Sequence, residues 1–276
     1  MTSSAGGGAG PRTGGDYLLG NDAPEAMDRF TAFAMLFDPS TFRHMDALGL
    51  AAGWRCWEVG AGGTSVVAHL AARVGPRGQV VATDIDLSWA ANAAAPNVTI
   101  IEHDVAGEPP PGGPFDLVHA RLVLVHVPER DVALANMVAA LRPGGVLLVE
   151  DADPALQPRS CLEETGPEEV LANRLRRGFR HLLSERGVDL AYGRTLPHLL
   201  RAAGLEDVAA DAAFPIRHPA CIPLEVATIA MVRDQLVAHE FATDEEIEQH
   251  LASVVSGRLD LTQPPMISAW GWRPIS

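Results

Sequence analysis

The sequence predicts an α/β fold: a mostly parallel sheet with helices on both faces. Three observations carry this. From residue 55 onward, short apolar runs alternate with stretches of helical periodicity, and parallel neighbours need such crossover connections. A glycine turn, Gly60-Ala61-Gly62-Gly63, follows directly on the first run. The second and third runs lead into aspartates, Asp84 and Asp104, where ligands of such sheets are bound.

The elements follow in order. Pro24–Leu36 and Pro39–Leu48 read as two helices, divided at Pro39. Arg55–Val59 is the first strand and Ser65–Val74 the helix after the glycine turn. Gln79–Thr83 is a strand, Ser88–Ala95 a short helix, and Val98–Glu102 a third strand. A Pro/Gly loop leads into strand Phe115–Ala120, helix Arg130–Leu141, an Arg-Pro-Gly-Gly turn and strand Val146–Asp151. Helices are expected over Glu168–Arg186 and Leu196–Ala203, then a strand, Glu206–Ile216, broken by Pro215. Helices Leu224–His239 and Asp244–Ser256 precede the last strand, Pro265–Arg273, which makes seven strands in all.

Composition narrows the function classes. With 276 residues, 47% of them hydrophobic, the chain is long enough for a large α/β domain with a cap. Met1–Gly15 is a Gly/Ser/Ala stretch expected to be a flexible, disordered tail, without the charged start and apolar centre of a signal peptide. No stretch reaches the roughly 18 apolar residues of a membrane span. A soluble, cytoplasmic protein is the expectation. Net charge is −14 and there is no lysine, so a nucleic-acid partner is not expected. The cluster Arg174, Arg176, Arg177 and Arg180 reads as a solvated helix face. Cys56, Cys161 and Cys221 form no CxxC pair, and the histidines show no HxxxH or HExxH spacing. Neither a disulfide framework nor a metal site is expected.

In the loop after the first strand, glycines allow a sharp turn and close approach of a ligand to the backbone, while the next helix offers free N–H groups. Asp84 has the spacing of a carboxylate that receives two ribose hydroxyls. A nicotinamide-dependent oxidoreductase would need a glycine where this chain has Ser65.

The segments WEVGAGGTS, VVATDID, IIEHDV, FDLVHARLVLVHVP and LRPGGVLLVED occur in that order. Together they resemble a class I S-adenosylmethionine-dependent methyltransferase of the small-molecule type, over roughly residues 17–155. The resemblance implies a Rossmann-like, seven-stranded sheet whose last strand runs antiparallel beside the sixth. S-adenosyl-L-methionine is the implied cofactor and S-adenosyl-L-homocysteine the product. By the same resemblance, Glu58 orders the loop, and Gly60, Ala61 and Gly62 approach the methionine part. Asp84 holds the ribose, Ile85 packs on the adenine, Asp104 and Val105 meet its edge, and Ala120 and Arg121 lie beside the sulfonium. Thr64 stands where the family often has a third glycine.

The implied organisation is a helical N-terminal segment over residues 16–50, with Tyr17 closing over the cofactor. A cofactor-binding core at 51–155 follows, then the rest of the sheet at 156–276. Within the latter, residues 217–263 are far too long for a hairpin loop and read as a helical substrate cap. His119, His126, Asp151, Asp153 and Tyr192 are candidate acid/base groups near the mouth. His126 leads as proton acceptor because a histidine titrates near neutral pH without tuning, and Asp151 comes second. An Asn-Pro-Pro-Tyr-like motif is missing after the fourth strand, where His119-Ala120-Arg121-Leu122 stands. That favours a small metabolite, of specialised metabolism, with O-, N- and C-acceptors all open and a homodimer allowed. The alternative is a relative that binds the same cofactor for non-methylating chemistry or regulation.

Overall fold

The structure is a computed structural model that describes Leu18 and residues 25–275. The expected tail and Tyr17 lie outside the described residues.

Seven strands form one sheet: β1 (Arg55–Val59), β2 (Gln79–Asp84), β3 (Val98–Glu102), β4 (Phe115–Arg121), β5 (Leu141–Ala152), β6 (Glu206–Ala213) and β7 (Met266–Trp272). Their order is β3-β2-β1-β4-β5-β7-β6. The first five run parallel, and β7 is antiparallel to both neighbours. The chain winds outward from β1 through β2 to β3, then crosses back to β4. The cleft at the switch point therefore opens at the carboxyl ends of β1 and β4.

Central strands are apolar on both sides because helices cover both faces. On one face, α2 (Ser65–Val74) and the end of α1 (Ala26–Ala47) pack Val67, Leu70 and Met45 against Cys56, Val80 and Leu148. On the other, α3 (Arg130–Ala140) and α5 (Leu196–Ala202) set Leu134, Met137 and Leu196 against Trp57, Val118 and Leu147. A separate helical layer joins α1 to α4 (Pro167–Glu185), α6 (Cys221–Ala238) and α7 (Asp244–Val255). Its core is Leu175, Leu182, Ile229, Val232, Leu236 and Ile247. A reciprocal capping box starts α7: the Thr243 hydroxyl accepts from the Glu246 N–H (3.2 Å), and Glu246 accepts from the Thr243 N–H (3.0 Å).

Three elements differ from the sequence reading. Residues 26–47 form one helix with Pro39 inside it, not two. An interior proline costs about 3 kcal/mol. Continuity lets Leu36 and Phe37 bury in the helical layer while Met45 buries against the sheet, which offsets that cost. The short helix expected at 88–95 is only a 3₁₀ turn over Ala90–Ala93. Strand β5 begins at Leu141, straight after α3, because Gly144 (φ +69°) lets the expected turn continue as an irregular strand edge.

The loop after β5 is fastened at both ends. Asp153 accepts a two-pronged contact from Arg194 (2.6 and 2.7 Å), and Asn173 clamps the backbone N–H and C=O of Cys161 (2.9 and 3.0 Å). All three cysteines are free and buried. Among the described residues no helix is long and apolar enough to cross a membrane.

Candidate functional site

Gly60 and Gly62 turn the chain at φ +64° and +48°, a region that side chains avoid. A Cβ at Gly60 would run into Val123, and one at Gly62 would come within 3.0 Å of the Phe30 ring. The turn is thus pressed between the segment after β4 and helix α1. Asp84, at the end of β2, accepts the Gly62 N–H on Oδ2 (2.9 Å) and the Asp86 N–H on Oδ1 (3.1 Å). Each carboxylate oxygen keeps a second acceptor site for a ligand hydroxyl. Burial raises the pKa of Asp84, with the backbone donors opposing it. Ile85 beside it is 41% exposed, while Val105 is buried. Asp104 accepts the Ala106 N–H (3.0 Å) and so begins the turn that follows β3. Ala120 is fully buried beside Val59. The loop, Asp84, Ile85, Asp104, Val105 and Ala120 therefore meet at the carboxyl ends of β1 to β4.

Glu58 points down from the loop into a buried network. His119 Nδ1 lies 2.6 Å from Glu58, and its Nε2 lies 3.3 Å from Glu150. Glu150 also accepts from Thr41 (2.5 Å) and Ser268 (2.6 Å) and lies 3.4 Å from His44. Arg121 turns to α1, meeting Asp38 (2.9 Å) and Thr41 (3.0 Å). Burial pulls the His119 pKa down, yet the Glu58 and Glu150 carboxylates push it to about 9. Burial works against the charge on Glu150, but His119 and His44 hold its carboxyl well below the usual range. His119 is therefore a positively charged tie between strands rather than a group at the mouth. Thr41, His44, Glu150 and Ser268 were not identified from the sequence, and only Glu150, the first acid in LLVED, offered a signal.

Beyond the ends of β4 and β5 lies a mostly apolar pocket under α1, α4 and α6. Phe33, Phe37, Leu122, Phe179, Leu224 and Met266 supply its walls. His126, Arg29, Arg176, Glu225, Thr228 and Gln263 are its polar lining. Burial, together with Arg29 and Arg130, lowers the pKa of His126 to about 3, so its imidazole is neutral. Asp151 is fully buried, with no side-chain partner for either carboxyl oxygen, and burial raises its pKa well above the ordinary value, the Val125 backbone N–H opposing it. Tyr192 is nearby on the same side, its hydroxyl likewise unpaired and its pKa raised by burial and then by Asp151. Asp153 is taken up by Arg194, which outweighs burial and lowers its pKa.

Arg176 corrects the sequence reading of a solvated basic face. It is 5% exposed, donates to Glu225 (2.9 Å), and Glu225 in turn lies 3.2 Å from His250. The signal was present: Arg176 stands four residues after Ala172 and three before Phe179, on the apolar stripe of α4. Arg177 is exposed and Arg174 pairs with Glu246 (2.5 Å). Away from the pocket, His181, Glu185 and His239 form an exposed cluster whose ligand-type atoms lie within 4.8 Å of one another.

Comparison with known proteins agrees with this arrangement. The family model described as a methyltransferase domain matches residues 21–210. This chain belongs to that methyltransferase domain family. The ubiquinone/menaquinone biosynthesis C-methyltransferase UbiE of Vibrio cholerae is 31% identical over 130 residues, 44% of this chain and 50% of its own. Methyltransferase str2 of Strobilurus tenacellus is 33% identical over 148 residues, 53% of this chain and 51% of its own. The chain thus spans about half the length of these curated relatives. Among solved structures, phosphoethanolamine N-methyltransferase 2 of Haemonchus contortus superposes with a TM-score of 0.56 at 17% identity. That match covers 94% of this chain and 60% of the other. The YcgJ protein of Bacillus subtilis also gives 0.56 at 17% identity, covering 86% and 99%. These two likenesses concern the fold.

Proposed function

We propose that the protein is an S-adenosylmethionine-dependent methyltransferase acting on a small-molecule acceptor, in the cytoplasm and in specialised metabolism. The observation that carries this reading is Asp84. Its carboxylate closes the glycine turn through Gly62 while keeping acceptor sites free at the end of β2. The relatives support it: one is a C-methyltransferase of quinone biosynthesis, and a structural neighbour was solved with S-adenosylhomocysteine. Three buried, unpaired cysteines fit a reducing compartment.

The residues present suit the cofactor. Gly60 and Gly62 leave the backbone bare where side chains would collide, Asp84 offers two oxygens to ribose hydroxyls, and Val105 with Ile85 offers apolar surface to a base. When bound, S-adenosylmethionine supplies an electrophilic methyl group on a sulfonium. The chain's own task is to hold the acceptor in line and exclude water. Phe33, Phe37, Phe179 and Leu122 do the latter at the carboxyl ends of β4 and β5, and the insert at 217–263 closes the pocket through Leu224, Glu225 and Thr228. His126 lines that pocket as a neutral imidazole, fit to accept a hydrogen bond from the acceptor and a weak proton sink. Asp151 does not line that pocket, and burial raises its pKa well above the ordinary carboxylate value.

The test is calorimetric titration of Asp84→Ala with S-adenosylmethionine. Two charge-assisted hydrogen bonds are at stake, each worth about 1.5–3 kcal/mol. Affinity should fall at least about tenfold with the fold intact. Release of S-adenosylhomocysteine from a metabolite panel then reads the reaction. Unchanged affinity in a folded Asp84→Ala protein removes the claim.

A further inference from the structure

We infer that Gln263 and Arg176 form the recognition end of the acceptor pocket, donating hydrogen bonds to a neutral carbonyl oxygen on an otherwise apolar acceptor. This rests on reading the pocket as the acceptor site of a methyltransferase.

Gln263 is 6% exposed and lines the pocket just before β7. Its amide nitrogen Nε2 is buried and has no hydrogen-bond partner. The backbone that carries it is fixed: the Gln263 N–H donates to Pro215 (3.1 Å) and the Thr262 N–H to Ser160 (2.7 Å). The amide cannot simply be turned over, because its oxygen faces the Arg176 guanidinium (3.5 Å) and a turned amide would set donor against donor. A rigid, buried N–H₂ without a partner costs about 1–3 kcal/mol, which a ligand oxygen would recover.

The charge around it selects the kind of oxygen. Arg176 is neutralised by Glu225 (2.9 Å), and Glu225 is held by His250 (3.2 Å) and Ser160 (3.5 Å). Burial opposes charge on Glu225, but Arg176 and His250 keep it ionised with a pKa of about 2. The cluster therefore already balances its own cation. A carboxylate placed there would lose its hydration and face Glu225, whereas a carbonyl oxygen gains donors without bringing charge. The remaining walls, Phe33, Phe37, Phe179, Leu122, Leu224 and Met266, suit an apolar ring system. Arg29 is the second cation of the pocket. Its guanidinium lies 4.8 Å from the centre of the Phe33 ring, on the α1 side.

Three shape-matched probes test this: 1-indanone, indane and indane-1-carboxylate, titrated into the full chain with and without S-adenosylhomocysteine. Wild-type protein should bind 1-indanone at least about tenfold tighter than indane, since a buried donor left unpaired penalises the analogue lacking oxygen. It should bind the carboxylate no better than indane. Gln263→Leu should lower the ketone preference at least about threefold, to what Arg176 alone supplies, while leaving indane within about threefold. Gln263→Met provides the same comparison should the leucine variant misfold. Equal affinity for ketone and hydrocarbon, binding of neither, or tighter binding of the carboxylate overturns the assignment, as does a Gln263→Leu protein that keeps the preference. S-adenosylhomocysteine affinity is read separately in each titration. Its absence would defeat the cofactor reading, while the ketone preference is measured without it.

Discussion

Glu150 and Asp151 are neighbours on β5, so the pleat sends their side chains to opposite faces of the sheet, into two different interiors. Both are fully buried, and burial alone would raise the pKa of both. Glu150 meets His119, His44, Thr41 and Ser268, and its carboxyl is held well below the usual range. Asp151 has no side-chain hydrogen-bond partner, only the opposing influence of the Val125 backbone and Arg130, and is raised well above it. Burial depth is the same, so partners decide the sign. On the Glu150 side, polar groups pair with one another and tie α1, β1, β4, β5 and β7 together. That region is architecture, and it fixes the floor of the glycine loop through Glu58. The Asp151 side, and the pocket with Gln263 beyond it, retain unsatisfied polar atoms. The pocket is the place where something from outside the chain can still be bound.

The largest expected effect separates the two acids directly. Glu150→Ala leaves His119 and His44 buried without their shared carboxylate and should cost about 3–5 kcal/mol. Asp151→Asn removes an acid whose pKa burial raises, with no side-chain partner to lose, and should be no less stable than wild type at neutral pH. Urea denaturation measures both. Similar losses in the two variants would break the comparison.

The pH dependence sharpens it. His119 has a folded-state pKa of about 9 against an ordinary 6.5, so its contribution is fully present below about 6.5 and is lost as pH rises through about 9. The difference corresponds to about 3 kcal/mol. Asp151 also loses stability with rising pH, but from about 3.8 upward, because the unfolded chain releases a proton that the folded one keeps. Unfolding free energies at pH 5, 7 and 9 should therefore decline in wild type. Asp151→Asn should flatten the decline wherever folded Asp151 keeps its proton, and the decline that this variant retains between pH 7 and 9 belongs to His119. If the step from 7 to 9 is absent, His119 is not the charged tie described.

The smallest expected effect concerns His126. With a pKa of about 3, it gives no basic limb between pH 6 and 8. A His126→Gln enzyme should keep kcat within about threefold of wild type, since positioning rather than proton transfer is what the side chain supplies. Loss of a basic limb in this variant, at unchanged cofactor affinity, would restore histidine as the proton acceptor. The sequence favoured His126 because histidine ordinarily titrates near neutrality. The fold withdraws that advantage by burying the ring beside Arg29 and Arg130.

How much could be read beforehand depended on how local the signal was. The glycine turn, Asp84 and Asp104 were legible because each lies within a strand-turn-helix unit whose signature spans a few residues. The parallel pairing of the first five strands follows from the same alternation, whereas their order is seen only in the structure. Arg176 was misassigned to solvent because a run of arginines obscured its place on the apolar stripe of α4. Gln263 carried no signal at all. Its meaning comes from Arg176, 87 residues away, and from a pocket wall that α1 and α6 supply. Pro39 misled in the other direction, since its local penalty was outweighed by burial on both sides of the helix.

The sequence by itself determined the α/β alternation, the turn that bares the backbone after β1, the acids at the strand ends, and the long insertion before β7. These rest on side-chain periodicity and on glycine's freedom at positive φ, which act over a turn or a strand. Tertiary structure alone decided which charges are paired, which are held neutral and which donors are left open. Thr41 reaches Glu150 across 109 residues and Arg176 reaches Glu225 across 49. Ionisation depends on desolvation and on neighbours within a few ångströms, and those neighbours exist only once the layers have packed.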